Sequence, residues 1–179
     1  MKKILIIAGI LAGTFYANLG FAQQTVNLNI TLSDVLSFSV TQPAALTVDF
    51  NTAEKYSEGI SVTAPSHITV TSNKGYVVKA VAGSVSGASG LEPSSVSISA
   101  ALGQANTGSS TGHSFTPITA LPASGSSAAS LIASSGSSWN GANASNTFDV
   151  TYVIGANGAY AGKTLGSNVI PVVYTVTQP

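Results

Sequence analysis

The chain has 179 residues, no cysteine, and 6 basic residues balanced by 6 acidic ones, so that only 7% of it is charged. It contains no arginine, which excludes the basic patch needed to neutralise nucleic-acid phosphates or to hold an anionic membrane surface by charge. The missing cysteine removes disulfides, thiolate chemistry, Cys-ligated zinc and a lipidated-cysteine anchor together.

In chain order, Met1, Lys2 and Lys3 are followed by the apolar run Ile4 to Leu11, which continues weakly through Phe15 and Tyr16. A short basic start, an apolar stretch and small residues at Gly20 and Ala22 predict a secretory signal peptide over residues 1–22, cut after Ala22. A membrane span needs about 20 apolar residues, and here Gly9, Gly13, Asn18 and Gly20 interrupt a shorter run. The expectation is export to the periplasm, the cell surface or the medium, with no transmembrane segment left after cleavage. The mature part, residues 23–179, has the size of one domain. Its charges are Lys55, Lys74, Lys79 and Lys163 against Asp34, Asp49, Glu54, Glu58, Glu92 and Asp149. A surface of Ser, Thr, Asn, Gln and Gly offers little repulsion between copies.

The mature chain opens on an alternation, with Val26, Leu28, Ile30 and Leu32 apolar and Asn27, Asn29, Thr31 and Ser33 polar. Period two predicts a strand with one buried face. Further strands are predicted at residues 36–40, 46–50, 60–64, 68–72, 76–82, 96–100, 148–154 and 169–176. They are separated by turn chemistry at Gln42-Pro43, Glu58-Gly59, Ala64-Pro65 and Asn73-Lys74-Gly75. Short strands at this spacing, with no amphipathic helix between them, indicate one all-β sandwich or barrel domain of about seven to ten mainly antiparallel strands. Between residues 103 and 146 the chain is rich in Ser, Gly, Ala, Thr and Asn. A structureless loop of that length is improbable in a compact domain, so weak strands are predicted near residues 114–121 and 130–134. The segment is either tolerated loop growth or a variable contact surface.

Catalytic chemistry finds few footholds. Gly108-Ser109-Ser110-Thr111-Gly112, followed by His113, fits the G-x-S-x-G pattern. A nucleophile elbow needs a strand before the serine and a helix after it, and neither is predicted there. His67 and His113 are the only histidines, and they lack the spacing of a metal site. His67 reads as a turn residue at a strand entry. Asp49, Glu54 and Glu58 are the nearest approach to a carboxylate cluster, and Lys55 among them suggests a solvated charged turn. Asp-x-Asp calcium loops, phosphate loops and dinucleotide fingerprints are missing, so the expectation is a non-enzyme without cofactor or metal. Trp139, the only tryptophan, lies with Asn140 in a polar stretch. It is either a cover for one end of the core or a stacking platform for a sugar ring or a partner.

Three stretches carry a resemblance to a known group of proteins: the alternation of residues 26–32, the strand–turn–strand of residues 68–78, and the closing residues 169–177 with their late Tyr174. Together they resemble the immunoglobulin-like β-sandwich pilin and surface-protein families of Gram-negative bacteria. The resemblance implies a fimbria-like structural or adhesive cell-surface subunit, with itself or other surface subunits as partners. In those families an alternating N-terminal segment is donated to the next subunit, and the positions corresponding to it here are Val26, Leu28, Ile30 and Leu32. The chain departs from common pilins in lacking a disulfide, in having almost no free extension before residue 26, and in carrying Pro171 in its last strand. The residues themselves favour residues 26–32 as the first strand of a self-complete domain. A second function stays open, a module binding cell-wall or host glycan through Trp139 and Asn140.

Overall fold

The computed structural model describes residues 27–41, 46–137 and 144–179; the predicted signal peptide over residues 1–22, Val26, Trp139 and Asn140 lie outside these. The chain divides into two units, Met1–Leu32 and Ser33–Pro179. In the first, residues 27–32 form no strand and are exposed, with Leu28 at 80%, Ile30 at 77% and Leu32 at 90% of full exposure. The predicted first strand is therefore corrected. The alternation is present, but it has no ladder in this chain and buries no face.

The second unit is an all-β sandwich. One sheet runs in the order β1 (Leu36–Val40), β2 (Ile60–Ser72), β8 (Asn146–Ile154), β5 (Val96–Leu102). The other runs β10 (Val172–Thr177), β3 (Tyr76–Ala82), β7 (Ala129–Ser134), β6 (His113–Phe115), and a small third ladder joins β4 (Ser86–Gly87) to β9 (Asn168–Val169). Every strand pair is antiparallel. Strict alternation makes β3 and β8 the central strands, since every second residue along each is buried. Ile68, Val70, Val78, Ile98, Leu131, Ile132, Phe148 and Val150, nearly or wholly inaccessible to water, meet between the sheets.

Two predicted strands, 60–64 and 68–72, are one. The ladder of β2 against β8 passes through a bulge between Ala64 and Ile68, which is where proline is tolerated in a sheet because it cannot donate to the ladder. Ser66 takes a left-handed backbone there, φ 49°, and its N–H donates to the Asp149 carboxylate at 2.7 Å. A second bulge in β7 turns both Leu131 and Ile132 inward.

The described part of the segment 103–146 holds β6, which is shorter than the weak strand predicted near 114–121, β7, which covers the one predicted near 130–134, and a bridge between Ile98 and Ile118. Asn146, wholly buried, ties its first part down. The Asn146 amide donates to Ser109 O at 2.7 Å and to Asn106 Oδ1 at 3.1 Å, and accepts from the Tyr76 hydroxyl at 2.9 Å. Predicted strand 46–50 keeps an alternating burial but joins no ladder, and the charged turn after it is a short helix, α1 (Ala53–Glu58), N-capped by Thr52. Proline does break the last predicted strand, into β9 and β10, at Ile170-Pro171.

Candidate functional site

The sandwich is open along one side. β1 and β10 are edge strands of different sheets, each hydrogen-bonded to one neighbour only. Near their ends they are tied: the Gln178 amide donates to Val35 O at 2.9 Å and to Ser72 Oγ at 2.7 Å. Below that tie lies a cleft of about 970 Å3. Its walls are Val40 on β1 and Val172 on β10, and its floor includes Val96, Tyr152 and Ile154 from β5 and β8. Its remaining rim comes from residues 46–50 and from the loop that carries Tyr160, Lys163 and Leu165. The lining is largely aliphatic and aromatic, with few charges, and the volume falls at the top of the range of about 300–1,000 Å3 typical of binding clefts.

A hydrogen-bonded chain crosses the cleft floor between the sheets. His67 Nδ1 lies 2.8 Å from Thr41 O, a carbonyl that can only accept, so this nitrogen carries the proton. Nε2 then accepts from the Tyr152 hydroxyl at 2.9 Å, and Tyr152 accepts from Tyr174 at 2.6 Å. Burial holds the His67 pKa below its ordinary 6.5, and burial raises those of Tyr152 and Tyr174. No carboxylate hydrogen-bonds or ion-pairs with His67; its ring partners are Tyr152 and Tyr174. Because the unfolded chain binds the His67 proton more readily, stability falls as the pH drops below about 6.5. The urea midpoint is expected to be lower at about pH 5 than at about pH 7.5, with a smaller drop in a His67→Gln variant; equal drops in both chains would contradict this.

At the far end of the cleft Phe50 packs edge-on against Tyr160, ring centroids 5.1 Å apart, and tilted against Tyr56 at 5.5 Å. Gly155 makes this approach possible. Its φ of +68° suits glycine, and a Cβ there would stand 2.7 Å from the Tyr160 ring and 2.8 Å from Phe50.

The other sequence candidates are scattered. Ser110 sits on an exposed bend that leads into strand β6, not a helix, and His113 Nε2 bonds to Ser109 O at 2.9 Å rather than to Ser110. Among the described residues no group of three or more His, Asp or Glu side chains could hold a metal ion. Asp49 belongs to a surface network with Asn51, and the Lys55 ammonium donates to Asp49 O at 3.0 Å and to Asn51 Oδ1 at 2.9 Å. Glu54 and Glu58 are exposed. No family model matches the chain, and no curated protein matches it.

The cleft was not visible in the sequence. His67 reads as a turn residue because Pro65 precedes it, yet the bulge turns both His67 and Ile68 inward. The one available signal was the tyrosine positions: Tyr152 and Tyr174 each fall on the apolar phase of an alternating strand, where a buried hydroxyl needs a partner.

Proposed function

We propose that the protein is a non-catalytic, exported structural or adhesive surface subunit of bacterial type, whose copies join when the N-terminal segment of one completes the open edge of another. The observation that carries this reading is the exposed alternation Leu28, Ile30, Leu32, which presents an apolar face without a sheet to bury it. In β-augmentation an extended segment gains affinity from main-chain hydrogen bonds and specificity from alternate side chains. The free edge of β10 and the cleft beside it offer both.

The strand order supports the same reading. In an immunoglobulin constant-type sandwich one sheet runs A-B-E-D and the other C-F-G. The order β1-β2-β8-β5 corresponds to the first, while β3 and β10 take the C and F places. The G place, beside β10, is held by no described strand. A pilin-like subunit is built in this way, which keeps the fimbrial reading in front. The root of the N-terminal segment is also held. Asn73 Nδ2 donates to Ser33 O at 2.9 Å, and its Oδ1 accepts from Val35 N at 2.9 Å. That root lies beyond the Leu36 end of β1, whereas the cleft is reached from the Val40 end. A contact of this kind pairs two different surfaces, so copies add head to tail into an open chain rather than a closed dimer.

Size-exclusion chromatography and electron microscopy of residues 23–179 test the proposal. Oligomers or fibres are expected, and deletion of residues 25–33 is expected to leave a folded monomer. A chain that stays monomeric at every concentration and salt, with or without those residues, would remove it.

A further inference from the structure

We infer that residues 46–50 are an internal strap along the rim of the acceptor cleft of the unassembled subunit, which must yield when a neighbour's N-terminal segment enters; this rests on the assembly proposed above. The strap has the burial pattern of a strand without its hydrogen bonds. All five residues border the cleft; Leu46, Val48 and Phe50 are half-buried, Thr47 and Asp49 exposed, and the five join no ladder. Side-chain packing alone therefore holds it along most of its length. An element of that kind belongs to the low-stability end of a fold, and an entering segment that adds main-chain bonds to β10 has the advantage over it.

The two ends of the strap differ. Phe50 is latched between Tyr56 and Tyr160, and the Lys55 ammonium grips Asp49 O and Asn51 Oδ1. Among the described residues no hydrogen bond holds Leu46 or Val48 in the same way, although Leu46 packs on the core. The strap is thus built to peel from Leu46 towards a hinge at Phe50. Such a cover keeps the apolar cleft from collecting unspecific partners and makes assembly depend on a segment able to displace it.

The test compares assembly rates of the mature chain with those of two variants, followed by light scattering. Leu46→Ser/Val48→Ser removes the apolar grip, and Lys55→Met loosens the hinge side without touching the core. The double variant is expected to assemble roughly tenfold faster, the scale of two half-buried aliphatic side chains, and Lys55→Met faster by a smaller factor. Adding Ile30→Asp to either must abolish the gain, which separates strap release from unspecific clumping of an exposed cleft. Two further measurements give independent readings: on assembly, hydrogen exchange shows the amides of β10 gaining protection, and limited proteolysis shows cleavage at residues 46–50 rising. Assembly at unchanged or slower rates in both variants, or no rise in cleavage at residues 46–50, overturns the strap alone. No assembly in any chain overturns the proposed function and the strap with it.

Discussion

If copies join as proposed, replacing Ile30 by aspartate is expected to abolish association of residues 23–179 while leaving the fold as stable as before. Ile30 is the middle of three apolar residues, 77% exposed in the subunit itself, so its loss removes no packing from the sandwich. Exposed substitutions of this sort change stability by about 0.5 kcal/mol or less. In the assembled state the same side chain would enter a largely apolar cleft whose one lysine among the described lining residues, Lys163, belongs to the rim loop. Burying an unpaired charge costs several kcal/mol, and every 1.4 kcal/mol is about tenfold in affinity, so the subunit contact should weaken by at least about 100-fold. Sedimentation velocity against concentration reads the loss, and a urea titration reads the unchanged fold. Asn29→Asp makes the control, since residue 29 falls on the polar phase and should be tolerated.

The second large effect lies in the core. Phe148 is wholly buried in β8, the strand that β2 and β5 flank on either side. Its ring meets the edges of His113 at 5.4 Å and Phe115 at 6.0 Å, so it links the central strand of one sheet to β6 at the rim of the other. Phe148→Ala is expected to cost about 3–5 kcal/mol, against a total of about 5–15 kcal/mol for an ordinary domain. No disulfide stands behind the core, and the one ion pair among the described residues, the exposed Lys74 with Asp34, is worth little. The urea midpoint should fall sharply with an unchanged slope; a shift of less than about 1 kcal/mol would mean that the packing around β8 is not what holds the sheets together.

Much of the sandwich was legible because each strand carries its own evidence. Tyr76–Ala82 and Leu36–Val40 stand where alternation placed them, since a strand with one buried face must alternate wherever it sits in the fold. Long-range pairing left no such mark. Alternation in residues 27–32 says that a face is to be buried, not in which molecule, and so the sequence reading of a first strand did not survive. Residues 46–50 alternate equally well and yet lack a ladder, because hydrogen bonding depends on a neighbour that sequence does not reveal. The bulge at Ala64-Pro65 looked like a turn for a local reason: proline ends regular pairing either way, and the Asp149 carboxylate that accepts from Ser66 N–H at the bulge lies 83 residues further along the chain. The cleft needs Val40, His67, Tyr152 and Val172 to converge from four strands, a juxtaposition set by sheet order. Trp139 and Asn140, the residues singled out for stacking, lie outside the described residues.

Assembly by donated segment predicts complementation between two defective chains, one altered in the segment and one in the cleft. Ile30→Asp keeps the cleft and loses the segment; Val172→Asp keeps the segment and spoils the cleft wall. Each alone should sediment as a monomer. Mixed in equal amounts they should form a one-to-one heterodimer and nothing longer, because a single good segment meets a single good cleft. Two chains that remain monomeric on mixing, while the unaltered protein assembles, would show that copies join through some other surface.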